Sequence, residues 1–320
     1  MDETFPPVKA SGNEDGRSKN SPYYLKTVGD KLTGPMKDIL ENYSGIPSDE
    51  VERHVYELRD RAWDVHPYPC IGVFSFLDLS TNQVPAYSKI LEILKPNPNA
   101  PEDQALFLDL ACCFGQDIRK LVRDGVPASA VYGTDIKREF LELGFELFKD
   151  EDKFPDPERQ FFVADILDAD SPENAGIWNE MMSKFTIVQI ANFLHLFDYE
   201  RQLQICCVIT RLMATKPGAM VIGRQVGSTN PREVSRAFSA PELKRNSGTR
   251  YWHSPETFRQ MWVEVGEKTG TKWDVDVDFI KLDEHNLKLL EEVKQMFPSA
   301  DAERKQRQVN YLIFTVTRVE

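Results

Sequence analysis

Residues 107–117 read FLDLACCFGQD. An apolar run, Ala105 to Leu108, stops at Asp109, and a turn of small residues follows: Ala111, Cys112, Cys113, then Gly115. Ile118, Leu121 and Val122 come next at helical spacing. Strand, tight turn and helix in that order form the opening unit of a nucleotide-binding α/β sheet. Small side chains let the turn backbone approach a ligand closely. The helix behind the turn begins with N–H groups that have no partner inside it. A second apolar run, Val131 to Gly133, ends at Asp135, 20 positions after Gly115. An acid at that strand tip is where such folds hold a ribose through its hydroxyls.

Outward from this stretch, composition narrows the classes. The chain has 320 residues and a formal net charge of -12. A general nucleic-acid binder carries a basic field, which this chain lacks. No apolar run is long enough to span a bilayer, so no membrane span is expected. The start, MDETFPPVKASGNEDGRSKNS, carries acids and no apolar core, unlike a signal peptide. A cytoplasmic protein is the expectation. The five cysteines include two adjacent pairs, Cys112–Cys113 and Cys206–Cys207, and a single Cys70. None stands at metal-ligand spacing, so reduced core thiols are expected and no metal.

Along the chain, residues 1–21 are polar and read as a disordered tail. Residues 22–103 read as a helical cap and linker. Pro35 suits the first turn of a helix through Ile39 and Leu40. Ser48 suits an N-cap, and Val51, Val55, Leu58 and Ala62 form the apolar stripe of the helix behind it. Pro67 and Pro69 end that helix. A further helix is read at Ala86–Leu94, before the linker Lys95–Asp103. From residue 104 to 320 the pattern alternates. Strands are read at Leu106–Leu110, Ala130–Thr134, Phe161–Ala164, Phe185–Ile190, Ala219–Arg224, Trp273–Ile280 and Tyr311–Thr317. Helices fall at Gln116–Arg123, Glu139–Phe148, Tyr199–Met213, Pro255–Val265 and Glu284–Met296. This predicts an α/β, Rossmann-like, seven-stranded and mostly parallel sheet with helices on both faces.

The succession FLDLACCFG, VYGTDI, FFVADIL, FTIVQIANFLHLF and KPGAMVIGRQVG resembles the class I S-adenosylmethionine-dependent methyltransferases. In their glycine turn, D-x-G-x-G-x-G, Asp109 and Gly115 match, while Ala111 and Cys113 take two glycine places. The phrases RDRAWDVHPYPCIGVFSFLDL and RYWHSPETFRQMW narrow the likeness to fungal carboxyl O-methyltransferases of meroterpenoid and related secondary-metabolite pathways, the austinol-pathway type. The resemblance implies S-adenosyl-L-methionine as cofactor and a homodimer. It places Asp109, Ala111 and Gly115 against the methionine part and Asp135 on the ribose. Ile136 would pack on the adenine, with Asp165 and Ile166 beside it, and Ala191 and Asn192 near the methyl group.

The acceptor decides what else is needed. A carboxylate is ionised at pH 7 and needs no base, whereas a phenol does. His195, after the fourth strand, and His253 are the catalytic candidates. His54 reads as a solvated helix residue, His66 as a helix end and His285 as surface. Residues 224–252 read as an insertion over the acceptor, with Arg224, Arg232, Arg236, Lys244, Arg245 and Arg250 available to pair with a carboxylate. Trp63, Tyr68, Phe74, Phe76, Tyr251 and Trp252 would line an apolar pocket. The expected partner is a small hydrophobic acid, with a phenol or nitrogen acceptor as the alternative. A nicotinamide-dependent dehydrogenase would share the opening unit but show T-x-x-x-Y-x-x-x-K, which is absent. A fold that binds without turnover is the third reading.

Overall fold

The computed structural model describes residues 18–96, 98, 103–171, 175–235, 249–280 and 309–320, apart from Pro22. The expected helix at 284–296, most of the linker, the first 17 residues, Arg236, Lys244, Arg245 and His285 lie outside the described residues.

The N-terminal part is helical: α1 (Gly34–Asp38), α2 (Val51–Val65), α3 (Pro69–Gly72) and α4 (Tyr87–Leu94). Pro35 sits in the first turn of α1. Ser48 does not cap α2; Glu50 takes that place without a side-chain bond. The stripe Val51, Val55, Leu58 and Ala62 is buried. Then come β1 (Leu106–Leu110), α5 (Gln116–Arg123), β2 (Val131–Asp135), α6 (Arg138–Phe148), α7 (Pro157–Gln160), β3 (Phe161–Val163) and α8 (Ala175–Met181). The chain continues through β4 (Phe185–Gln189), α9 (Tyr199–Leu212), β5 (Met220–Ser228), β6 (Arg232–Ser235), β7 (Thr249–Trp252), α10 (Pro255–Thr269), β8 (Trp273–Phe279) and β9 (Val309–Arg318).

Seven strands form one sheet in the order β3-β2-β1-β4-β5-β9-β8. β1 to β5 run parallel, and β9 enters antiparallel between β5 and β8. All seven expected strands are there. The hairpin β6–β7 was not expected: four residues a side carry too little alternation to read. Strand order reverses at β1 and β4, and the carboxyl ends of strands at such a reversal are where open α/β sheets place their ligands.

One apolar cluster packs α8, α9 and α10 against one sheet face, and a second packs α4 and α5 against the other. A third unites the cap with the sheet unit: Val55, Leu58 and Trp63 share it with Phe114, Phe140 and Phe148. The cap is therefore built onto the turn after β1 and onto α6. Lys19, in the end of the polar tail, pairs with Asp60 at 2.8 Å.

Candidate active site

The turn after β1 keeps the backbone of a glycine turn without its glycines. Ala111, Cys113 and Gly115 stand at φ +59°, +54° and +67°, each in the left-handed region. For Ala and Cys that conformation costs roughly 1–2 kcal/mol each. Packing over-determines it. α6 comes so close that a Cβ on Gly144 would lie 2.5 Å from the Phe114 carbonyl oxygen. Arg119, fully buried, donates from Nη1 to the Phe114 and Gly115 carbonyls at 3.1 and 3.4 Å. Its Nε and Nη2 donate to Asp150 at 2.8 and 2.9 Å, and Tyr43 donates its hydroxyl to the same carboxylate. Rings of Phe145, Phe148, Phe154 and Phe161 surround the guanidinium at 4.7–5.2 Å.

Asp135 closes β2 beside this turn. Its Oδ2 accepts from Cys113 N and its Oδ1 from Lys137 N, both at 3.0 Å, which orients the carboxylate and leaves further lone pairs. Burial raises its pKa above the usual carboxylate value. Ile136 next to it is 50% exposed, an aliphatic side chain with no cover at a ligand-binding edge. Ala164 N donates to Asp135 O, which places Asp165 alongside, and the Asp165 side chain caps the following turn through Leu167 N at 3.0 Å. Ile166 is buried in the core beneath. An acceptor-only carboxylate, an exposed aliphatic and a close-approach turn fit an adenosine on an amino-acid tail.

Asp109, also buried, lies in register with Gln189 of β4. Gln189 Nε2 donates to Asp109 Oδ1 at 3.3 Å and to Asp117 Oδ2 at 3.0 Å. Burial, then the nearby Asp117 charge, pushes Asp109 well above the usual carboxylate range. The other Asp117 oxygen accepts from Ser80 N and Thr81 N at 2.8 and 2.9 Å. Thr81 also donates its hydroxyl to Gln189 Oε1. Asp117, Gln189 and Thr81 were not among the expected site residues. The signals were faint: an acid in the first turn of α5 and an amide in the apolar strand FTIVQ.

Past β4, Ala191 and Asn192 line the tip, Asn192 at φ +53° with its N–H donating to Arg224 O at 2.7 Å. His195 follows, half-buried, in a turn at Leu194–Leu196. β7 lies on this segment, since Tyr251 N donates to Phe197 O at 2.8 Å. Asn192, His195, Arg224 and Tyr251 thus belong to segments that meet just past the carboxyl end of β4, Arg224 from the middle of β5.

Several expected residues are elsewhere. His253 is fully buried, with Nδ1 3.1 Å from Thr257 Oγ1 and rings of Tyr251 and Phe258 around it. Burial drives its pKa down to about 3, so it stays neutral and cannot reach an acceptor as a base. Ser254 behind it caps α10 in a reciprocal box with Thr257. Trp63 sits in the cap core, edge-on to Tyr24 at 5.2 Å, and Phe74 and Phe76 are buried there too. Trp252, the last residue of β7, is buried. These apolar rings were better used as core than left facing a ligand. Tyr68 stays half-buried beside Phe140 and shares the Cys113 cluster. His54 is not simply solvated; its Nε2 meets Leu147 O at 3.1 Å. His66 ends α2, stacked on Tyr68.

Sheet order, antiparallel penultimate strand and acid-tipped strands together define an S-adenosylmethionine-dependent methyltransferase of class I. Residues 23–77 match the model of the meroterpenoid methyltransferase N-terminal domain. The O-methyltransferase atr3 of Stereocaulon alpinum is 39% identical over 276 residues, 85% of this chain and 72% of that protein. The asnovolin E/chermesin D methyltransferase nvfJ of Aspergillus novofumigatus is 35% identical over 77% of this chain and 81% of its own. The chain belongs to this family, the fungal meroterpenoid methyltransferases. Among solved structures, phosphoethanolamine N-methyltransferase 2 of Haemonchus contortus matches at 13% identity with a TM-score of 0.49, over 90% of this chain and 61% of that one.

Proposed function

We propose that this methyltransferase esterifies the carboxylate of a small hydrophobic meroterpenoid or related acid. Arg224 carries the reading. It stands midway along β5, two residues past the last one paired with β4, half-buried, and among the described residues no carboxylate hydrogen-bonds to it. Its Nη1 donates to the neutral Gln83 amide at 2.8 Å, and its buried Nε has no acceptor. A planar cation so placed suits a planar anion, which it can hold through two parallel bonds. The withdrawal of His253 from the site also favours an acceptor that needs no base.

S-adenosylmethionine, when bound, supplies a sulfonium methyl open to in-line displacement. Asp135 accepts the ribose hydroxyls, and Ile136 covers the adenine beside Asp165. Asp109 lies with the turn 111–115 on the methionine side. Arg224 orients the acceptor carboxylate with one oxygen toward Ala191 and Asn192. The cap excludes water, so the ionised oxygen meets carbon without a competing solvent shell. His195 is then a pocket wall rather than a proton acceptor.

The test uses S-adenosylmethionine labelled in its methyl group, with a panel of prenylated aryl acids and matched phenols. A methyl ester releases labelled methanol in mild alkali; a methyl ether does not. Alkali-labile product on acids supports the reading. Alkali-stable product on phenols, lost in His195→Ala, would replace it. No product from a protein that binds the cofactor would mark a binding module.

A further inference from the structure

The strand tips and the cap also meet at a short segment, residues 79–84, where Ser80 and Thr81 are bonded to Asp117 and Gln189. Ser80 N and Thr81 N end on one Asp117 oxygen. The Thr81 hydroxyl ends on Gln189 Oε1. The opposite end of that same amide bonds Asp117 and Asp109. Gln83, two residues on, receives Arg224. All four members, Thr81, Asp109, Asp117 and Gln189, are almost fully buried. An amide cannot rotate to serve one side without disturbing the other, because its donor and acceptor are fixed at opposite corners.

We propose that Thr81, Gln189 and Asp117 form a positioning relay that couples cofactor binding at Asp109 to docking of segment 79–84 on the strand tips. The inference rests on the cofactor reading above. Among the described residues, Gln189 Nε2 is the single donor that reaches Asp109, and its bond is long at 3.3 Å. Burial and the Asp117 charge favour the protonated acid at this site. A cationic ammonium arriving beside Asp109 favours the carboxylate instead. The Gln189 bond then becomes charge-assisted, roughly twice as strong as a neutral one. That fixes the amide, and the fixed Oε1 holds Thr81. None of the three relay residues needs to touch the cofactor. By reciprocity, docking of the segment raises cofactor affinity by the same factor. Docking of the segment, and with it the Gln83–Arg224 contact, is thereby strengthened when the methyl donor is in place.

The experiment uses the full chain with S-adenosylhomocysteine as probe. Amide exchange at Ser80 and Thr81 is measured with and without it, and its Kd is measured for Thr81→Val, Thr81→Ser, Gln189→Leu and the Thr81→Val/Gln189→Leu double variant. The relay predicts slower exchange on binding, a Kd at least about fivefold weaker in Thr81→Val, and recovery in Thr81→Ser. In the Gln189→Leu background the Thr81→Val change should add nothing, because the coupling runs through the amide. Equal losses in both backgrounds would mean that Thr81 meets the ligand directly, and would overturn the relay. So would protection of Ser80 and Thr81 with no effect of Thr81→Val. If the variants do not fold, unchanged exchange in the wild-type protein overturns it alone. A wild-type protein that does not bind the probe removes the cofactor reading, and the relay with it.

Discussion

Ala111 and Cys113 hold left-handed backbone where glycine is at ease, at φ +59° and +54°. The strain sits in the turn between β1 and α5. Ala111→Gly and Cys113→Gly should each stabilise the fold by up to about 1 kcal/mol, offset in part by the greater freedom glycine has when unfolded. Urea unfolding midpoints check this, and a loss of stability in both would mean the turn is not strained. His253 gives a second residue-scale prediction. Its folded pKa, about 3, lies below the ordinary value of 6.5, so the unfolded chain takes up the proton first. Its contribution is fully present above about pH 6.5 and is lost as pH falls toward 3, by up to about 1.4 kcal/mol per unit. Replacing His253 with Leu should flatten that part of the stability profile relative to wild type. An unchanged slope between pH 6 and 4 would show that the ring is not buried neutral. At this scale the sequence was half legible. Acids at strand tips follow from apolar runs that end in Asp, and Asp109, Asp135 and Asp165 could be read. The side of a strand on which Gln189 faces, or the burial of His253 under a hairpin, depends on packing between distant segments and left no periodic trace.

Among the elements, the turn after β1 is held from behind by α5 and α6. Arg119 and Asp150 form an ion pair with both side chains at 0% exposure. Arg119→Ala would leave the Asp150 carboxylate buried without its cation and remove the donors on Phe114 and Gly115. A loss of about 3–5 kcal/mol is expected, read from denaturant unfolding, with weaker cofactor binding because the turn is released. A cost below about 1 kcal/mol, the level of an exposed pair, would contradict the burial. Elements themselves were the most legible level. Apolar runs between helical patterns located every main-sheet strand, and α5 spans the expected Gln116–Arg123. The short α8 and the β6–β7 hairpin escaped because seven or fewer residues hardly establish a period.

In the whole molecule, the cap and the sheet unit share one core, in which Phe114 and Phe140 pack with Trp63, Phe74 and Phe76. The cap therefore supports the turn after β1. Sequence suggested a boundary near residue 103 from composition, but which faces of the cap meet the sheet unit could not be read, because contacts across a hundred residues carry no local signature. On the proposed function, the β2 tip holds the ribose of S-adenosylmethionine through Asp135. Calorimetric titration of S-adenosylhomocysteine into the wild-type protein and Asp135→Ala tests it most directly. The account predicts saturable binding by the wild type and a loss of at least about tenfold in the variant, since two hydrogen bonds to a charged group are worth about 1.5–3 kcal/mol each. Equal binding by both, or binding of NADP in place of the sulfur ligand, would contradict it.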